Sequence, residues 1–347
     1  MRVAMRLAFT MALAACATSA HGQENPIGAL RTTIGAAEAP EEEVFGEITD
    51  AVLSDDGILH VVDEMTGVIR SFTMGGEYLS SFGRRGRGPG EFLRPLSADL
   101  DAFGRVLVAD ADNRRVTILS WQDGALDLEA TFQVDSYLIE SCVLNESLIG
   151  FQFVEEGTLL SVLDADGEKM TGFAERELAS GELAGIPGPN DHMLYSGTSL
   201  GCDSSVPAVV IARHRQPVLR SFSFQGEELW RVELEEFLEM GYGALPSSNQ
   251  CCIASIPDRG SGTFETVWSV VPDGLGRLVV SVEEYHPETR ERTYENRILS
   301  SKTGQELGRF TAPGIALLIR GDVVVSKSRS PIPRVYLHDW RPLDIRR

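Results

Sequence analysis

The chain has 347 residues, with 51 acidic against 31 basic side chains and a formal net charge of −20. This excess of negative charge argues against nucleic-acid binding and against adhesion to an anionic membrane, because both require clustered lysine and arginine. A hydrophobic content of 43% is enough for a packed core, and 34 glycines with 16 prolines suit a fold made of many turns.

The first 22 residues have the pattern of a secretory signal. Residues 1–6 carry two arginines, residues 7–15 form an apolar run too short to span a bilayer, and small residues follow. Two processing routes remain open: ordinary cleavage after Gly22, which we favour, and a lipobox-like pattern at residues 13–16 that would place a lipid on Cys16. We therefore expect residues 23–347 to form one exported domain, periplasmic or extracellular, with a membrane-anchored lipoprotein as the alternative. No later segment reaches the about 18 apolar residues of a membrane span.

Two consecutive segments, residues 50–72 and 95–119, look like copies of each other. Each has a short apolar run, an Asp- or Gly-containing turn, a β-branched run that ends in an aspartate (Asp63 or Asp110) and a further β-rich run. This alternation predicts antiparallel strands joined by tight turns. A repeat of whole sheets whose strands are separated by such turns is typical of a β-propeller.

The rest of the chain continues this alternation of predicted strands and turns. We predict third, fourth and fifth blades over residues 137–174, 199–234 and 264–310, and a last unit of only three strands over residues 314–340. Residues 27–35 have no blade of their own, and we predict that they supply the fourth strand of that last unit and close the ring. The expected fold is all-β, a six-bladed β-propeller, with five or seven blades as alternatives. A short helix is predicted at residues 235–242, and long connections at 175–190 and 244–262.

One part of the chain resembles the NHL repeat. The sequence Val108-Ala-Asp110 is followed by Asn113, Arg115 and an apolar strand, and residues 82–92 (FGRRGRGPGEF) precede it. NHL repeats build six-bladed propellers, and the resemblance implies that Asp110, Asn113 and Arg115 are structural hydrogen-bonding residues. Blade one keeps the aspartate, Asp63, but has Thr66 and Val68 where the Asn and Arg of the repeat should stand.

The glycine- and arginine-rich residues 83–90 superficially suggest a phosphate cradle. Such cradles open a helix after a strand, whereas Pro89 and the following residues lead toward another strand. We interpret the segment as a turn between blades whose glycines supply positive φ angles. Arg84, Arg85 and Arg87 form the one basic cluster and are candidates for binding an anionic ligand or an acidic partner segment.

Four cysteines remain after removal of the signal: Cys142, Cys202, Cys251 and Cys252. An even number in an exported protein permits disulfides, and three pairings are possible. A bond between the adjacent Cys251 and Cys252 would close a strained ring, so we expect them to bridge to Cys142 or Cys202.

No catalytic motif is evident. The histidines are scattered, and residues 197–201 only approximate the Gly-x-Ser-x-Gly pattern, without a following helix. Inner-strand carboxylates such as Asp50, Glu140 and Asp203 are candidates for a calcium site. We therefore predict a monomeric, non-enzymatic binding module without a cofactor, for a protein, peptide or glycan, with the long connections as its binding surface. The alternative is a calcium- or zinc-dependent propeller hydrolase or lyase with its site in the central channel.

Overall fold

The computed structural model describes residues 25–35, 40, 43–152, 157–175, 198–214, 216–238, 262–329 and 332–341. These residues form strands and turns and contain no α-helix. Within them, therefore, no helix is long and apolar enough to cross a membrane. The proposed signal segment, including Cys16, lies outside the described residues, as do Cys251, Cys252 and nearly all of the two long connections.

The described strands form six four-stranded antiparallel sheets, and each sheet is one blade. Blade one contains β2 (Ile48–Leu53), β3 (Ile58–Asp63), β4 (Val68–Thr73) and β5 (Tyr78–Phe82). Blade two contains β6 (Pro95–Leu100), β7 (Val106–Asp110), β8 (Arg115–Gln122) and β9 (Ala125–Gln133). Blade three contains β10 (Leu138–Leu144), β11 (Ser147–Gln152), β12 (Thr158–Leu163) and β13 (Lys169–Glu175).

Blade four contains β14 (Thr198–Asp203), β15 (Ala208–Arg213), β16 (Val218–Ser223) and β17 (Glu228–Glu233). Blade five contains β18 (Phe264–Pro272), β19 (Arg277–His286), β20 (Glu291–Ser300) and β21 (Glu306–Thr311). Blade six contains β22 (Ile315–Arg320), β23 (Val323–Ser328), β24 (Arg334–Trp340) and the N-terminal strand β1 (Ile27–Ile34), in the order β1-β24-β23-β22. Both the six blades and the closing role of the N-terminal strand are confirmed.

The position of a strand within its blade explains its amino-acid pattern. The second strands β3, β7 and β15 are buried along nearly their whole length, because a neighbouring blade covers each of their faces. The outermost strands β5 and β17 instead alternate between partly and fully exposed residues, as expected at the rim. Continuous β-branched runs therefore mark the middle of a blade, and alternating sequences mark its edge.

The hydrophobic core is a ring of six clusters, one between each pair of adjacent blades in the described part of the chain. The cluster that closes the ring joins blades six and one, where Ile34 and Val325 pack with Leu59 and Phe72. Arg31 of β1 adds ion pairs of 2.6 Å each to Asp322 and Asp339 of blade six. The N-terminal strand is therefore held by apolar packing and by charge.

The predicted helix at residues 235–242 is wrong in the part that the structure describes. Residues 235 and 236 form a turn and residues 237 and 238 have no regular secondary structure, and Glu236 has a φ angle of +60°, which is incompatible with a right-handed helix. The Leu238 N–H donates to the Glu265 side chain, and the Leu238 carbonyl accepts a bond from the Glu265 N–H. Three apolar residues within one turn were too short a pattern to outweigh this tertiary contact.

A candidate binding cavity in the central channel

The innermost strands β2, β6, β10, β14, β18 and β22 surround the central channel. Each pairs with a neighbouring strand on one edge only, so the backbone N–H and C=O groups of its other edge point into the channel. We call the face where these strands begin the top face and the face where they end the bottom face. A cavity of about 670 Å³ lies along the channel, with lining residues from both ends of the innermost strands.

Three carboxyl groups satisfy free amides on this inner edge. Asp50 accepts a bond of 2.8 Å from the Ala98 N–H of the next blade, and Asp99 accepts one of 2.6 Å from the Val143 N–H of blade three. Glu140 Oε2 accepts one of 2.5 Å from the Leu200 N–H of blade four. Each acid therefore connects its own innermost strand to that of the following blade, and these contacts link blades one to four.

Hydroxyl and ammonium groups complete this polar wall. The Ser97 Oγ accepts a bond of 3.0 Å from the Ser141 N–H and donates one of 3.1 Å to the Ser141 carbonyl. The Lys327 Nζ, from the second strand of blade six, donates bonds of 2.8 and 2.7 Å to the carbonyls of Ile48 and Thr49 in blade one. The ammonium thus links blades six and one, as the three carboxyls link blades one to four.

The surroundings of these groups shift their pKa values toward neutrality. Although the carboxyls line the cavity, protein atoms enclose them, and this burial raises the pKa of Asp50 and of Asp99 to about 6. Burial raises the pKa of Glu140 to about 8, against the opposing effect of the Leu200 N–H bond. Burial also lowers the pKa of Lys327 to about 8. The channel wall consequently holds four groups that titrate between about pH 6 and pH 8.

The other basic groups of the cavity wall are ion-paired. Arg94 pairs with Glu64 at 3.0 Å, Arg329 pairs with Glu47 at 3.1 Å, and Arg320 pairs with Asp55. The positive charge that acts on Asp50 and Glu140 is therefore the ammonium of Lys327, whereas Asp99 is opposed by Arg320, which is itself paired with Asp55.

The opposite side of the cavity is apolar, with an aromatic group above it. The lining from β18 and β22 includes Val270, Val271, Leu317 and Leu318. Nearer the top face, the Arg329 guanidinium lies 4.3 Å from the centroid of the Trp268 ring. The His214 ring packs against the same tryptophan, with the ring centroids 5.4 Å apart.

Glu140 and Asp203 each leave one carboxyl oxygen of the cavity wall without a hydrogen-bond partner in the described part of the chain. One is Oε1 of Glu140, since the contact with Leu200 uses only Oε2. The other is Oδ2 of Asp203, a fully buried residue near the bottom face whose Oδ1 accepts bonds from Ser205. A polar atom without a partner in a cavity wall indicates where a ligand could bind. Because Asp203 is fully buried and Glu140 is only partly buried, the oxygen available to a ligand is Oε1 of Glu140.

The expected disulfide pairing is wrong. Cys142 of β10 is bonded to Cys202 of β14, so neither is available to Cys251 or Cys252. The two cysteines lie on adjacent innermost strands, with Cα atoms 5.7 Å apart, and both line the cavity. The disulfide therefore joins blades three and four covalently, in addition to the hydrogen bond from the Leu200 N–H to Glu140.

The candidate calcium ligands do not converge. Asp50 uses both oxygens to accept backbone N–H bonds, from Ala51 and Ala98, and Asp203 lies at the opposite end of the channel from Glu140. No group of three or more His, Cys, Asp or Glu residues suited to a metal ion occurs among the residues that the structure describes.

A serine–histidine contact occurs where the sequence only approximates a nucleophile motif. The Ser199 Oγ lies 3.2 Å from the His214 Nε2, joining the first strand of blade four to the turn after the second. Ser199 is only 1% exposed, so its hydroxyl is not accessible to a substrate in the cavity. We assign the pair a structural role.

The residues of the NHL-like motif lie outside the cavity, at the connections between blades. Asp110 accepts bonds from the N–H groups of Leu93 and Arg94 and from Asn113, which fixes the chain as it enters blade two. Arg115 donates to the carbonyls of Arg87 and Glu91.

In blade one, Asp63 accepts the equivalent bonds from Gly46 and Glu47. Its cationic partner is Arg70, at 2.7 Å, two positions after the Val68 that stands where the motif has arginine. The ion pair of blade one is therefore built from a residue that sequence alignment to the motif would miss.

The arginine-rich loop is folded around its own anion. Glu91 accepts a bond of 2.8 Å from the Gly88 N–H and one of 2.7 Å from the Arg84 Nε, and these bonds lower the pKa of Glu91. The Arg85 guanidinium points toward the Met65 carbonyl at 3.4 Å, and the Arg87 side chain is exposed. None of the three arginines lines the central cavity, and Glu91 is already the anionic partner of Arg84.

Comparison with known proteins identifies relatives in shape only. No family model and no curated protein matches the chain. Among solved structures, a member of the DUF4221 family from Bacteroides vulgatus superposes with a TM-score of 0.62 at 10% identity, covering 92% of this chain and 98% of that one. A presumed exported protein from Bacteroides fragilis gives a TM-score of 0.58 at 11% identity, covering 92% and 97%.

The WD40 repeats of RRP9 give a TM-score of 0.55 at 12% identity, covering 92% of this chain and 99% of that one. At such low identities these similarities show the fold alone. The chain is a six-bladed β-propeller.

Proposed function

We propose that this chain is an exported binding module without enzymatic activity, and that part of a protein, peptide or glycan ligand enters the central cavity. The observation that supports this most directly is the cavity itself, about 670 Å³ in volume and enclosed by six innermost strands. Its volume lies within the roughly 300–1,000 Å³ typical of ligand sites, and its wall combines apolar side chains with a few polar groups.

The top face is the favoured entrance. Trp268, Arg329 and His214 are stacked at this end of the cavity, and aromatic and arginine side chains are enriched where proteins contact ligands and partners. The hydroxyl of Ser199 is buried and the oxygens of Asp50 and Asp99 are engaged by backbone N–H groups, which favours binding over catalysis.

Two observations support export. The first 22 residues have the pattern of a secretory signal, and the Cys142–Cys202 disulfide is typical of an oxidising compartment. The structural similarity to a presumed exported protein of Bacteroides fragilis agrees with this proposal. Mass spectrometry of the mature protein would distinguish cleavage after Gly22 from lipidation of Cys16, and light scattering would test the expected monomer.

The binding proposal is tested by narrowing the cavity. Leu317 lies half-buried in the apolar wall, so Leu317→Trp places an indole in the cavity without adding charge. Peptide and glycan arrays are probed with the wild-type protein, with this variant and with Phe103→Trp, a control at a turn of the bottom face that is 82% exposed. We expect array ligands that bind the wild type and the control at least tenfold more tightly than Leu317→Trp, with equal melting temperatures. Ligands that bind all three proteins equally would place the site elsewhere.

The metal-dependent alternative has its own test. Elemental analysis of the purified mature protein and thermal melts before and after chelator measure whether calcium or zinc is present and stabilising. Under the binding proposal we expect neither stoichiometric metal nor a chelator-sensitive melting temperature. Stoichiometric metal together with hydrolysis of lactones or esters would replace the binding proposal by the enzyme.

A further inference from the structure

The cavity has two chemically unlike walls. The innermost strands of blades one to three contribute the carboxyls Asp50, Asp99 and Glu140, whereas those of blades five and six contribute Val270, Leu317 and similar side chains. A ligand that fits both walls carries a polar group on one side and an apolar body on the other.

The charge of the polar wall favours a cation. The arginines of the cavity have carboxylate partners, and the Lys327 ammonium donates hydrogen bonds to two backbone carbonyls. The three carboxyls therefore exceed the positive charge that acts on them, which comes from Lys327 and, at Asp99, from the paired Arg320. In surroundings of low dielectric constant this imbalance is costly, and an incoming cation reduces it. The raised pKa values of the three acids agree, because burial without a sufficient counter-charge disfavours their ionised forms. An anionic ligand would increase the imbalance.

The unpartnered oxygen of Glu140 gives the cation a place to bind. Asp50 and Asp99 each use both oxygens to accept backbone N–H groups, but Glu140 uses only Oε2. Its Oε1 is open to a donor in the cavity. The Oδ2 of Asp203 also has no partner, but Asp203 is fully buried, as Ser199 is, and a ligand in the cavity does not reach it. The open position at Glu140 is a hydrogen-bond acceptor, and a protonated amine offers up to three donors on one atom.

We propose that the cavity binds a primary amine carried on an alkyl chain, the chemistry shared by a lysine side chain and a free alkylamine. The ammonium binds Oε1 of Glu140, and the alkyl chain packs against Leu317 and Leu318. This inference rests on the proposed binding function and specifies which ligands the cavity selects.

The test compares three probes with one tail and different heads: n-hexylamine, n-hexanol and n-hexanoate. Each is titrated by NMR into the mature protein at constant pH and ionic strength. For a ligand of only seven heavy atoms we expect a Kd on the order of 1 mM. We expect saturable one-to-one binding of hexylamine, at least tenfold weaker binding of hexanol and no saturation by hexanoate.

Two matched variants locate the amine. Glu140→Gln keeps an oxygen that accepts the Leu200 N–H but replaces the other oxygen with an amide nitrogen, so it retains the contact between blades and removes the acceptor for the ligand. We expect it to weaken hexylamine binding at least tenfold with little change in melting temperature. Glu129→Gln removes a carboxylate of the outer strand β9, away from the cavity, and should leave hexylamine binding unchanged.

The outcomes separate this inference from the proposed function. No saturation by hexylamine, equal affinity for hexylamine and hexanoate, or equal affinity of wild type and Glu140→Gln would each overturn the amine assignment. The binding function is judged separately, by the array ligands and Leu317→Trp. Tighter binding of Nα-acetyl-lysine amide than of hexylamine assigns a lysine of a peptide, and weaker binding assigns a free alkylamine; both results retain the primary amine.

Discussion

Removing the Cys142–Cys202 disulfide tests how the innermost strands of blades three and four are held together. The bond joins residues that are 60 positions apart in sequence, and Cys142 also packs within the cluster between these blades. In the unfolded chain the crosslink closes a loop of about that length, and loop-closure entropy for such a loop corresponds to roughly 4 kcal/mol at 25 °C. We therefore expect Cys142→Ala/Cys202→Ala to lower the free energy of unfolding by roughly 4 kcal/mol.

Urea unfolding followed by circular dichroism measures this loss. The slope of the unfolding free energy against urea should increase in the double variant, because an unfolded chain without the crosslink exposes more surface. Wild-type protein in the presence of reductant serves as the control and should match the variant. A loss below about 1 kcal/mol would refute the entropic account. Peptide mapping that finds Cys142 or Cys202 bonded to Cys251 or Cys252 would refute the pairing itself.

Three further predictions concern buried polar groups. Burial lowers the pKa of His60 to about 4, from 6.5, so unfolding takes up a proton at this residue between these values, and His60 by itself contributes a loss of about 3 kcal/mol of stability as the pH falls through them. Asp50 and Asp99, with pKa values raised to about 6, contribute in the opposite direction over much of the same range. The free energy of unfolding of His60→Gln, relative to that of the wild type at the same pH, should therefore rise by about 3 kcal/mol from about pH 6.5 to about pH 4. Arg70→Met leaves the buried Asp63 without its cation and should cost about 3 kcal/mol in urea unfolding, whereas Arg84→Met, on an exposed pair, should change nothing measurable. Asp50→Asn turns an amide nitrogen toward a backbone N–H, since both carboxylate oxygens accept such groups, and should cost about 2 kcal/mol; an unchanged unfolding midpoint would contradict this.

The fold could be predicted because its signals are local. Turn sequences such as Asp55-Asp56-Gly57 lie between β-branched runs. This local alternation is enough to predict the hairpins and to count the blades. The closing role of β1 also followed from local information, since the last unit had one strand too few. The helix at residues 235–242 failed for the opposite reason, because contacts with Glu265, 27 positions away from Leu238, decide the conformation there.

The candidate site could be predicted only in part. Asp50 and Glu140 were recognised as inner-strand carboxylates, but their bonds to the next blade depend on how adjacent blades are aligned, which no local pattern records. The same dependence hid the disulfide pairing. Lys327 was missed, although a lysine within the buried β-branched run of β23 was a usable signal, because a buried ammonium needs acceptors nearby.

The channel wall links the stability of the ring to its capacity to bind a ligand. A ring of six blades leaves six unpaired strand edges facing inward, and their N–H and C=O groups need partners that the sheets themselves cannot supply. The carboxyls of Asp50, Asp99 and Glu140 accept some of these N–H groups. As a consequence, three acidic groups lie close together in the channel with little positive charge beside them. A carboxyl whose two oxygens both accept backbone N–H bonds, such as Asp50, stabilises the ring but has no acceptor left for a ligand. Glu140, with one oxygen engaged, links blades three and four and leaves one acceptor in the cavity, which is why we propose it as the residue that both stabilises the ring and binds the amine.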